Sequence, residues 1–102
     1  NYFTAMTTTS QNMNLSYGYL WWLNGKATCM APQSQLVIPT SVVPNAPADM
    51  IMALGKDDKK IYVIPSLDAV VVRLGDNAGT STLGPGSFDN ELWVKLKAAM
   101  KY

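Results

Sequence analysis

A chain of 102 residues with eight basic and seven acidic side chains is long enough for one small domain with a modest core and too short for two. The near-balanced charge, with no Lys/Arg clustering along any predicted face, argues against nucleic acid as the main partner; the lack of histidine excludes imidazole as a base or metal ligand within the chain. Cys29 stands alone, so no internal disulfide can form, and no run approaches the roughly 20 apolar residues of a membrane span.

The first 14 residues are rich in Thr, Ser, Asn and Met. Tyr2, Phe3 and Met6 are spaced for a turn or two of helix, which then gives way to a polar linker. Residues 17–23, YGYLWWL, alternate and then run aromatic, which predicts a strand, with Gly18 permitting close backbone approach. Asn24-Gly25 is a turn pair that should send the chain back. Adjacent strand residues face opposite ways, so Trp21 and Trp22 should divide between a core and an edge or pocket wall. Over residues 26–49, Pro32, Pro39, Pro44 and Pro47 deny a long helix or a central strand. The segment reads as an extended loop that lays Leu36, Val37, Ile38, Val42 and Val43 on another surface.

Residues 50–54 return to a short apolar strand ending at Gly55. The cluster Lys56, Asp57, Asp58, Lys59 and Lys60 cannot be buried unpaired and is expected at a rim, keeping an edge soluble. Adjacent carboxylates flanked by lysines do not make a metal site. Residues 61–64 and 69–74 are β-branched and nearly continuously apolar, the pattern of strands buried on both faces. Pro65, Ser66, Leu67 and Asp68 make the hairpin turn between them. Residues 76–86 read as a surface turn region. Beyond it Ser87 or Asp89 can cap a helix whose apolar positions Phe88, Leu92, Trp93, Leu96, Ala99 and Met100 recur at three and four. Its broad stripe predicts a helix lying on a sheet.

The segment MIMALGKDDKKIYVIPSLDAVVVRLG, together with YGYLWWLNG and the closing SFDNELWVKLKAAM, resembles the C-terminal part of the β-lactamase-like serine hydrolases, which include class C β-lactamases, penicillin-binding peptidases and related esterases and amide hydrolases. The likeness runs from about Tyr17 onward. It implies an α+β fold in which an antiparallel sheet of three to four strands, with a C-terminal helix on one face, is an incomplete part of the family's fold. It further implies one segment, 1–102, of a longer hydrolase domain, an exported (periplasmic or secreted) location, and no cofactor. The missing N-terminal part, on the same or a companion chain, would be the partner, and a small ester or amide the substrate.

The family's serine nucleophile sits in a Ser-x-x-Lys motif. Ser10, Ser16, Ser34, Ser41, Ser66, Ser81 and Ser87 all lack a lysine three residues on, and no Tyr-x-Asn occurs, so the chain alone should be inert by this mechanism. Ala53, Leu54 and Gly55 stand where the family's third motif lies, with alanine in place of a basic residue, which points away from carboxylate-bearing penicillins and toward esters or amides. The resemblance implies that a substrate pairs along residues 52–55 as an added strand, with Gly55 allowing close approach and the backbone N–H of Lys56 serving as an oxyanion donor. Tyr17, Trp21 and Trp22 are the candidate pocket walls. The alternative reading is a stand-alone, non-catalytic domain that binds a ligand through its aromatic strand at Tyr17, Tyr19, Trp21 and Trp22.

Overall fold

A computed structural model describes residues 1–78 and 87–102; the greater part of the expected 76–86 turn region lies outside them. The fold is α+β. A short helix α1 (Tyr2–Met6) precedes four strands, β1 (Trp22–Leu23), β2 (Ile51–Leu54), β3 (Lys60–Ile64) and β4 (Ala69–Arg73), and a helix α2 (Ser87–Met100) closes the chain. The strands form one antiparallel sheet in sequence order. Among the described residues no helix is long and apolar enough to cross a membrane.

The β3–β4 hairpin is the most extensively paired unit, with Tyr62 opposite Val71 and Lys60 opposite Arg73. Pro65–Leu67 makes a 3₁₀ turn, and Asp68 takes a left-handed conformation (φ 48°) from which its N–H donates to Pro65 O. Proline presets the first turn and aspartate tolerates the left-handed one.

On one face of the sheet Met52, Tyr62, Ile64 and Trp93 of α2 are wholly buried with Met50 and Val43, and Leu54, Ala69 and Val71 pack around them. The stripe of α2 that meets the sheet is narrower than its sequence suggests: Leu92, Trp93 and Leu96 pack, whereas Ala99 and Met100 are exposed. Behind the sheet, Met6 of α1 joins Leu23, Ile51, Trp21 and Val63 in a second cluster. Tyr2 and Phe3 remain exposed. The close approach expected at Gly18 is present, since a Cβ there would lie 2.0 Å from Met6 O.

Three expectations are corrected. Residues 61–64 and 69–74 are not buried on both faces: Ile61 is 40 %, Val70 62 %, Val72 54 % and Leu74 75 % exposed, because α2 covers only one side and α1 reaches only as far as Val63. The 17–23 stretch is not one strand. Its first residues fold back so that Tyr17 pairs with Trp22, Gly18 N–H donates to Trp21 O at 2.9 Å, and Leu20 adopts φ 66°, leaving only Trp22–Leu23 in the sheet. The 56–60 cluster is not all at a rim, since Asp58 and Lys60 are buried.

The 26–49 segment is the expected loop, with one isolated bridge from Cys29 to Ile38. Of its apolar residues Val43 enters the core, whereas Leu36, Val37 and Ile38 are exposed. The buried Asn24 organises it. Its Nδ2 donates to Val43, Pro47 and Ala46 carbonyls at 3.0, 2.9 and 3.3 Å, and its Oδ1 accepts from Val43 N–H. Gly25 follows at φ 71°, where a Cβ would meet Ala48 O at 2.4 Å, so the position suits only glycine; the chain bends here but does not turn straight back, since the partner of β1 is β2, after the loop.

Candidate functional site

β1 pairs with β2 only through Trp22 opposite Met52 and Leu23 opposite Ile51. Because the chain folds back before Trp22, Ala53, Leu54 and Gly55 have no strand on that side among the described residues. The available edge is therefore residues 53–55; Met52, expected to be part of it, is already taken by Trp22.

The direction of the backbone groups along this edge follows from the pairing. Gly55 N–H donates toward β3, to Lys59 O at 2.7 Å, and successive amides of an extended chain point to opposite sides. Leu54 therefore presents its backbone to the open edge. Gly55 is itself extended (φ −100°, ψ 170°), so the N–H of Lys56 points the same way as that of Leu54. Lys56 begins the 3₁₀ turn Lys56–Asp58, where helical geometry supplies an amide with no internal acceptor. Asp57 and Asp58 both take left-handed conformations, φ 56° and 58°. Two non-glycine residues in that region are held there by their surroundings, at a cost in backbone energy.

What holds them is a buried ion cluster. Lys60 Nζ lies 3.2 Å from Asp58 Oδ1 and 3.2 Å from Asp89 Oδ2. The second oxygen of Asp89 accepts from the Tyr62 hydroxyl, and the second oxygen of Asp58 accepts from Ala78 N–H at 2.8 Å. Arg73 donates to the Asp58 carbonyl at 2.8 Å and stacks over Phe88, 4.7 Å from the ring centre. Burial raises the pKa of the Asp58 carboxyl, but the Ala78 amide, Lys60 and Arg73 together outweigh it and hold it below the usual carboxylate range. Burial, then the hydrogen bond to Asp89 and its charge, pushes the Tyr62 phenol well above its ordinary range. Near neutral pH the lowered Asp58 is thus a carboxylate and the raised Tyr62 an uncharged phenol, and the cluster they belong to braces the turn.

A groove of about 280 Å³ borders the turn, lined by Ala53, Leu54, Gly55, Lys59, Ile61 and Leu74 beside the Lys60 backbone strand. Another hollow, of about 300 Å³, lies away from Gly55, at Phe3, Leu23, Asp49 and Pro65. Ala53, Leu54, Gly55 and Lys56 are thus together at one end of β2. Tyr17 and Trp22 meet edge to face, 5.1 Å between ring centres, in the row that continues through Met52. Trp21 packs into the second cluster, and Tyr19 stands exposed at the tip of the 18–21 turn. Trp21 and Trp22 lie on opposite faces, as alternation requires, and do not form one flat platform.

Sequence reasoning missed Lys60, Asp58, Asp89 and Tyr62 as a unit. A signal was available. Lys60, Tyr62 and Ile64 share a strand face by period two, and Asp89 falls on the helix stripe with Leu92, Trp93 and Leu96 by the three-four spacing, so opposite charges were written onto two apolar faces that pack together. Comparison with known proteins finds no matching family model, no matching curated protein and no matching solved structure.

Proposed function

We propose that this chain is the C-terminal part of a serine hydrolase acting on ester or amide bonds, in which residues 53–55 receive the substrate backbone and the Lys56 N–H is one of two oxyanion donors. The observation that carries the reading is the edge itself: β1 pairs along β2 no further than Met52, and the backbone groups of Leu54 and Lys56 both aim into the space beyond. A bound substrate would satisfy Leu54 as a neighbouring strand does, placing its carbonyl carbon within reach of an N–H whose position is fixed in advance, the condition for oxyanion stabilisation. The nucleophile and its base come from the remaining part of the hydrolase, since none of the serines here has a lysine three residues on. With alanine at position 53, β2 itself offers no basic side chain to anchor a substrate carboxylate, although Lys59 lines the same groove; on the β2 side this favours uncharged esters and amides. The open apolar row of Ile61, Val70 and Val72 agrees with a sheet that meets further polypeptide.

The test begins with the native species isolated by size exclusion and treated with a fluorophosphonate probe, which labels activated serines. Labelling of a polypeptide that travels with this chain, or of a longer chain containing it, is the expected result. Absence of any labelled serine in that species would overturn the proposal. Lys56→Pro then removes the donor while keeping the backbone, because proline suits the first position of a helical turn and an extended residue precedes it. Turnover should fall about 10²- to 10³-fold, with the melting temperature little changed.

A further inference from the structure

The Lys56–Asp58 turn sits at an exposed end of the sheet, carries two left-handed aspartates, and is tied to the buried face of the sheet through Lys60. Its Nζ is wholly buried and reaches back to Asp58 of the turn and across to Asp89 of α2, both at 3.2 Å. A lysine side chain buried this far is retained only when its charge is met from more than one side, and here the two partners come from the two elements whose relative position the turn requires. Asp58 in turn accepts from Ala78 N–H through one carboxylate oxygen and from Arg73 through its backbone carbonyl, so β4 and the segment after it are tied to the same residue.

The geometry points to Lys60 as the positioning residue of the 56–58 turn: by gripping Asp58 from β3 and anchoring to Asp89 on α2, it fixes the direction of the Lys56 N–H. The catalytic consequence of that role rests on the hydrolase reading above; the mechanical role does not. Without the grip, Asp57 and Asp58 would relax from their left-handed conformations toward the commoner regions, and the amide between Gly55 and Lys56 would swing away from the open edge. Lys60 itself touches no substrate in this arrangement.

Amide hydrogen exchange on the native species reads the turn directly. Lys59 N–H, bonded to Lys56 O at 3.4 Å, reports whether the turn is closed, and the amides of Tyr62 and Val63 report on the sheet. In Lys60→Met, exchange at Lys59 and Ala78 should quicken about tenfold or more while Tyr62 and Val63 keep their protection, as expected for a local opening. Because Lys60→Met leaves two buried carboxylates facing each other, Asp58→Ala serves as the second variant: it frees the turn but leaves Lys60 paired with Asp89, and Lys59 should quicken in the same way. Unchanged exchange at Lys59 in both variants would overturn the proposal, as would a rise at Tyr62 and Val63 in step with Lys59 in Asp58→Ala. Where turnover can be followed, Asp58→Ala should lower kcat with KM nearly constant. Faster exchange with unaltered turnover would support the strut and remove Lys56 from the chemistry, which keeps the failure of one reading distinct from failure of the other.

Discussion

The two faces of this sheet are drawn from the same four strands, yet one is a finished core and the other is not. Under α2, β3 contributes Lys60, Tyr62 and Ile64, all buried, the last two against Met52 and Trp93. One residue along the strand, Ile61 begins an opposite row that continues through Val70 and Val72 and is largely bare. Apart from Lys60, both rows are apolar in sequence. What separates them is the supply of a covering element: a 14-residue helix on one side, and five residues of α1 that reach only Ile51, Leu23 and Val63 on the other. Apolar sequence thus sets what a strand face can bury, and the neighbouring elements set what it does bury.

The largest expected effect lies on the finished face. Trp93 is wholly buried and meets Tyr62 edge to face at 5.5 Å, so Trp93→Ala should cost about 3–5 kcal/mol, read as a fall in the urea midpoint at unchanged slope. A loss under about 1 kcal/mol would mean that α2 is a loosely laid cover and would erase the contrast between the faces.

Of intermediate size are the pH effects of the ion cluster. Asp58 is depressed in the fold, so the unfolded chain binds the extra proton first, and the stability it contributes is present above the ordinary carboxylate value of about 3.9 and is lost as pH falls through the lower folded one. Tyr62 is raised; its contribution is complete below about pH 10 and declines as pH rises beyond, because the unfolded phenol ionises first. Stability measured across both windows should fall at each end, and Tyr62→Phe should flatten the alkaline limb alone. An alkaline limb that persists in Tyr62→Phe would remove the phenol as its source.

The smallest effect on stability belongs to the open face. Val70→Thr with Val72→Thr keeps β-branched side chains on exposed positions and should change the unfolding free energy by about 0.5 kcal/mol or less per site. The same pair should release any companion polypeptide on size exclusion, which sharpens the contrast: a face nearly silent in folding but decisive in assembly. If the companion stays bound, the open row is not where it sits.

The sequence revealed the elements with a regular period and those with strong punctuation. The β3–β4 hairpin was legible because Pro65 and Asp68 bracket it, and α2 because Leu92, Trp93 and Leu96 repeat at helical spacing. The 17–23 stretch was not, since its alternation is real but its pairing is local: Leu20 takes a left-handed turn that no residue type there advertises. The cluster at 56–60 misled for a different reason. A run of charges ordinarily belongs in water, and recognising that Asp58 and Lys60 go inward requires knowing that Asp89, some thirty residues away in sequence, arrives on the same face. Asn24 was likewise readable as half of a turn pair, but not as the clasp of a loop whose carbonyls come from Val43, Ala46 and Pro47.

That clasp bears on how this chain can vary. With one side chain holding Val43 through Pro47 and the Cys29–Ile38 bridge closing the strip before it, the exposed run 33–36 hangs from a base that does not depend on its length. Extra residues spliced into it would add only the entropy of a longer loop, about 0.6 kcal/mol for each doubling, and the sheet below would not register them. It is the natural place on this fold for a tag, a label or a grafted recognition segment.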